Sequence, residues 1–92
     1  MIVNFFATLR LIVGSKSVDI LLEEGQTIEQ VLNSMVHRFP ALRKELFDED
    51  GRLYRHVHVF VNGRDAAFLE NGSATTLNEE DVVSIFPAVG GG

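Results

Sequence analysis

The sequence predicts an α+β roll, one main helix packed across a mixed sheet of four or five strands. Three observations carry that prediction. One long amphipathic segment, residues 27–39, stands alone near the middle of the chain. Short apolar runs separated by turn residues lie on both sides of it. The first and last of those runs are apolar on both faces, as strands covered from two sides are. A chain of 92 residues holds one core of this kind and not two.

Residues 2–11 read as the first strand. Val3, Phe5, Ala7 and Leu9 alternate with Ile2, Asn4, Phe6, Thr8 and Arg10. Gly14-Ser15-Lys16 signals a turn, and residues 17–22 return as a partner with Val18, Ile20 and Leu22 on one face. Thr27 followed three residues later by Gln30 forms a capping box at a helix start. Ile28, Val31, Leu32, Met35, Val36 and Phe39 then recur at helical spacing until Pro40 stops the helix. A short second helix is expected over 41–47, then an acidic loop at 48–51. Residues 56–61 predict a strand with Val57, Val59 and Val61 on one face, and Asn62-Gly63 predicts a hairpin. Residues 65–69 read as a short irregular strand, Asn71-Gly72 as a turn, and Leu77 as a core plug. Residues 82–86 form the final strand, with Val83 and Ile85 inward, and Pro87 ends its ladder because it lacks a backbone donor. The first and last strands are expected side by side in the middle of the sheet.

Composition narrows the function. Hydrophobic residues make up 46% and charged residues 23%, which is globular and not disordered. Thirteen acids against eight Lys and Arg give a net charge of −5, which disfavours nucleic acid and suits basic partners. There is no cysteine, hence no disulfide, thiolate metal site or thiol nucleophile. No run approaches the roughly 18 apolar residues of a membrane span, and residues 2–13 lack the basic start and cleavage site of a signal peptide. A cytoplasmic protein without a membrane partner is the expectation.

Conventional active-site chemistry is hard to find. His56 and His58 lie on one side of a predicted strand, but no third ligand stands at metal-binding spacing, so no metal site is assigned. No serine carries an activating motif, and Gly14 and Gly63 build no phosphate loop. Glu79, Glu80 and Asp81 fall in a turn expected to be solvated, where no burial raises a carboxyl pKa. No catalytic residue is assigned, and the chain is read as a non-enzyme. The remaining feature is the ending Pro87-Ala88-Val89-Gly90-Gly91-Gly92. Glycine has no Cβ, so such a segment can thread a channel too narrow for other residues. It carries an unhindered α-carboxylate, which becomes an electrophile once joined to AMP. Residue chemistry alone leaves a frayed glycine end as the other reading.

Four stretches together resemble the ubiquitin-like β-grasp sulfur carriers, the family of the molybdopterin synthase small subunit and the thiamine-pathway sulfur carrier. They are residues 5–10 (Phe-Phe-Ala-Thr-Leu-Arg), the helix after Gly25-Gln26-Thr27, Val61-Asn62-Gly63, and residues 81–92. The match spans the whole chain. Gly51-Arg52-Leu53, Phe68, Gly72, Ala74-Thr75 and Pro87-Ala88-Val89 look most like the carrier that serves cysteine biosynthesis, and the loop at 47–55 is also like the small archaeal modifiers. Two positions depart from the molybdopterin subunits: Ala88 replaces a second proline, and Leu11 replaces an acid after Arg10.

The resemblance implies a β-grasp domain over 1–87 and a flexible functional tail over 88–92. It implies that an E1-like enzyme uses ATP and magnesium to adenylate Gly92, and that the adenylate becomes a thiocarboxylate. Sulfur then passes to an acceptor such as the molybdopterin synthase large subunit or a cysteine synthase. Gly90 and Gly91 would keep the threading segment narrow, and the chain itself would bind no cofactor. The alternative is a modifier joined to target lysines through Gly92. If Val57, Val59, Val61, Val83 and Ile85 face the helix, then Phe6, His58, Phe60 and Phe86 face the other way. With Pro87 and Val89 they form the expected partner-docking surface.

Overall fold

The computed structural model describes residues 1–87. Its elements are β1 (Ile2–Phe5), α1 (Thr8–Val13), β2 (Ser17–Asp19), α2 (Ile28–Arg38), α3 (Arg43–Leu46), β3 (His58–Val61), β4 (Arg64–Asp65) and β5 (Val82–Phe86). Short 3₁₀ turns at Pro40–Leu42, Ala66–Phe68 and Gly72–Ala74 link them. The sheet runs β2-β1-β5-β3-β4. β1 and β5 are parallel neighbours at its centre, and the other pairs are antiparallel. One long helix across such a sheet is the β-grasp arrangement.

The α2 start is the capping box read in the sequence. The Gln30 backbone N–H donates to Thr27 Oγ1, and the Thr27 N–H donates to Gln30 Oε1. Ile28, Val31, Leu32 and Met35 are buried from α2, against Val3 and Phe5 of β1, Val83 and Ile85 of β5 and Val59 of β3. Leu77 is buried in the same core. The β3–β4 hairpin turns at Asn62 and Gly63, both at positive φ (52° and 84°), the pairing a two-residue hairpin of this hand needs.

The first strand is shorter than the sequence suggests. Alternation predicts strand through residue 11, whereas the chain leaves the sheet after Phe5 and forms α1. Leu9 is fully buried, Ile12 and Val13 pack against the core, and Leu11 is 84% exposed. That spacing, i, i+3, i+4, is helical, and Gly14 in the left-handed region caps it by donating to the Arg10 carbonyl. Residues 65–69 also differ from expectation. Asp65 Oδ1 accepts from the Ala67 N–H, so its side chain starts a 3₁₀ turn and ends the strand. β2 and β3 are likewise shorter than the expected 17–22 and 56–61.

Candidate functional site

Strand alternation sends β1, β3 and β5 side chains to two faces. Val3, Phe5, Val59, Val83 and Ile85 go to the core. The outer face receives Phe6, His58, Phe60 and Phe86, which the structure brings together. The Phe6 and Phe86 rings stack at 4.1 Å and 11°. Phe60 meets Phe86 edge-on at 5.3 Å, and His58 lies 6.4 Å from Phe60. The three phenylalanines are half-buried against one another, and the His58 side chain is 53% exposed.

The backbone fixes this cluster. His58 pairs with Phe86 across β3 and β5, and the Phe6 N–H donates to the Ile85 carbonyl. Ala7 then turns the chain sharply, at φ 52° and ψ −130°, and the Leu9 N–H closes that turn on the Phe6 carbonyl. Pro87, the residue after Phe86, is buried. The readings for Val89, Gly90, Gly91 and Gly92 lie outside the described residues.

Further members of this face went unread in the sequence. Arg10 lays its guanidinium 5.0 Å from the Phe6 ring centre and donates through Nε to the Phe5 carbonyl at 2.8 Å. The pair depends on the turn at Ala7, which stands between Phe6 and α1, so helical spacing alone does not reveal it. Ile2 and Val82, paired across β1 and β5, add 38% and 37% exposed apolar side chains to the same face. Asp65 accepts from or donates to His58 Nδ1 at 3.2 Å according to the protons they carry, and this occupies one side of the imidazole.

The other candidates have structural neighbours. His56 stacks on Tyr54 while His58 bonds Asp65, so the two imidazoles do not converge. Among the described residues, no three His, Asp or Glu side chains come together as a metal site. The acidic turn is less free than its sequence suggests. Asp81 accepts from the Asn78 N–H and from Asn62 Nδ2, and Glu79 receives the Met1 ammonium at 2.9 Å. That ammonium has its pKa raised above 8.0, first by the Glu79 hydrogen bond. A groove of about 550 Å³ runs along the polar flank of α2, past Glu24, Gln26, Gln30 and His37, and holds none of the aromatic residues.

The ThiS family model matches residues 3–92. Small archaeal modifier protein 3 of Haloferax volcanii is 42% identical over 89 residues, covering 97% of this chain and 95% of that one. Sulfur carrier protein CysO of Mycobacterium tuberculosis is 35% identical over 81 residues, covering 86% and 83%. The crystal structure of SAMP1 from Haloferax volcanii matches with a TM-score of 0.87 at 33% identity, covering 100% of this chain and 98% of that one. The chain belongs to the ThiS family, among sulfur carriers and ubiquitin-like modifiers that share the β-grasp fold.

Proposed function

We propose that this ThiS-family chain is a sulfur carrier that works through the carboxylate of Gly92. An E1-like enzyme joins that carboxylate to AMP from ATP with magnesium, releasing pyrophosphate. A sulfur donor then displaces AMP and leaves a thiocarboxylate, which an acceptor enzyme uses as a source of sulfide. The observation that carries this reading is the match of the family model through residue 92, terminal glycines included. The fold supplies a physical reason for it. β5 ends at Phe86, whose ring stacks on Phe6, so a partner seated on the aromatic face lies two residues in sequence from where residues 88–92 begin. The domain acts as a handle and contributes no catalytic side chain. Dependence on ATP and an intracellular sulfur donor sets the cycle in the cytoplasm, and the acceptor belongs to molybdopterin-type or cysteine biosynthesis.

Intact mass of the protein isolated from its host tests the proposal. Exchange of one carboxyl oxygen for sulfur adds about 16 Da. A chain that stays at its unmodified mass when the activating enzyme, ATP and sulfur donor are all present overturns it.

A second reading has its own support in the 42% identity to a small archaeal modifier protein. In that reading the activated Gly92 is transferred to lysine amines of other proteins. An immunoblot ladder that disappears on deletion of Gly91 and Gly92 supports it.

A further inference from the structure

Primary amines are scarce in this chain. They are the Met1 α-amine and the side chains of Lys16 and Lys44, while the other six cationic side chains are arginines. An amine attacks an activated carboxyl, and a guanidinium, which stays protonated, does not. The fold places the three amines differently. The Met1 ammonium is engaged at the start of β1, on the Ile20 carbonyl and Glu79 at 2.9 Å each and on Asp19 at 3.4 Å. Lys44 belongs to α3, whose Leu46 is buried with the helical layer in the core. Lys16 stands at the other end of β1. Its carbonyl accepts from the N–H of Phe5, the last residue of that strand, at 2.8 Å, and the residue is exposed.

That is also the end of the sheet at which β5 runs out. Phe5 lies beside Ile85 in the parallel β1–β5 pair, and Pro87 follows two residues later. Lys16 is therefore two strand spacings from Ile85, about 10 Å, and about 12 Å from Pro87 once the rise of two residues is added. The covalent length of residues 88–92 allows a reach of about 16–18 Å from Pro87, and the four-carbon stem of Lys16 extends toward it.

We infer that Lys16 is an acceptor for the chain's own activated carboxyl group, and that the product is an isopeptide closing residues 16–92 into a ring. The inference rests on the adenylation of Gly92 proposed above. The neutral Lys16 amine attacks the Gly92 carbonyl carbon of the acyl adenylate. A C–N bond forms, the C–O bond to the phosphate breaks, AMP leaves with that electron pair, and the amine proton passes to solvent. The ATP spent in adenylation drives the step, and no other reagent enters. A short tether gives an effective concentration on the order of mM, about a thousandfold above a second chain present at µM levels. The ring-closed chain has no carboxylate left to carry sulfur. Lys16 thus competes with the sulfur donor for the adenylate and retires carriers when sulfur is short.

The test incubates the full chain with the host's E1-like enzyme, ATP and magnesium, without a sulfur donor. Intact mass is expected to fall by about 18 Da, the loss of one water. Trypsin is expected to leave residues 65–92 joined to residues 11–38, since acylated Lys16 is not cleaved. Lys16→Arg keeps the charge and is expected to abolish this product while pyrophosphate release proceeds. Lys44→Arg is expected to form it at the wild-type rate, and the wild-type rate is expected to be independent of chain concentration. Loss of the product in Lys44→Arg overturns the inference. So does a ladder of linked chains in its place, or an unchanged mass despite pyrophosphate release. Absence of pyrophosphate release is a different failure: Gly92 is then not adenylated, and that reading falls together with this one.

Discussion

Ala7→Gly is expected to stabilise the protein. The Ala7 backbone sits at φ 52° and ψ −130°, where a Cβ crowds its neighbours. Holding a non-glycine residue in such a region costs about 1–3 kcal/mol. Glycine adopts it freely but loses more freedom on folding, at roughly 0.5–1 kcal/mol. The Ala7 methyl is exposed, so its removal opens no cavity. The balance is a gain of about 1 kcal/mol, which for a domain of this size raises Tm by about 4–8 °C. Urea unfolding and calorimetry of the two proteins measure it. A lower midpoint in Ala7→Gly refutes the reasoning, because the turn then carries no strain worth releasing. Ala7→Val, which adds branching at the same φ, is expected to move the midpoint the other way.

Four further outcomes are expected. Phe60→Asp leaves the melting temperature within a few degrees of wild type, because the ring is on the outer face, yet blocks adenylation; unchanged adenylation kinetics would sink the docking surface. Thr27→Ala removes the acceptor for the Gln30 N–H and costs about 1 kcal/mol in denaturant unfolding. Ile85→Ala empties a fully buried site in the central strand and costs about 2–5 kcal/mol by the same assay. The fourth concerns pH. The Met1 ammonium has a folded-state pKa raised above 8.0, chiefly by Glu79. Its contribution is therefore complete below pH 8.0 and is lost as pH rises through the folded-state value. Glu79→Gln should flatten stability across that alkaline window, and equal slopes in the two proteins would contradict the assignment.

The parts of the fold that were legible in the sequence are those whose signals do not compete. The Thr27 and Gln30 capping box, the period from Ile28 to Phe39 and the stop at Pro40 all name the same helix. The two-sided apolar character of the first and last strands told their central position correctly. Residues 6–11 were misread as strand because Leu9 satisfies both periods: it is apolar at i+4 from Phe5 for a strand and begins the 9, 12, 13 set for a helix. Only Gly14 and the exposure of Leu11 distinguish them, and exposure is not written in the sequence. The aromatic members of the face followed from alternation alone. Arg10 did not, because its position depends on the turn at Ala7, a residue with no propensity for that backbone. The terminal glycines were singled out by their chemistry, and no packing argument bears on them.

The parallel pairing of β1 with β5 joins residues some eighty positions apart at the middle of the sheet. Without β5 the remaining strands fall into two separate hairpin-like pairs, β1 with β2 and β3 with β4, and neither closes the core under α2. Folding must therefore wait until residues 82–86 have been synthesised, since non-local pairing supplies the contacts that repay chain closure. A chain truncated earlier stays open, with apolar surface that proteases and chaperones recognise. Translation and folding thus sort the molecules together: the copies that survive to meet a partner are those synthesised at least as far as the strand from which the glycine segment departs.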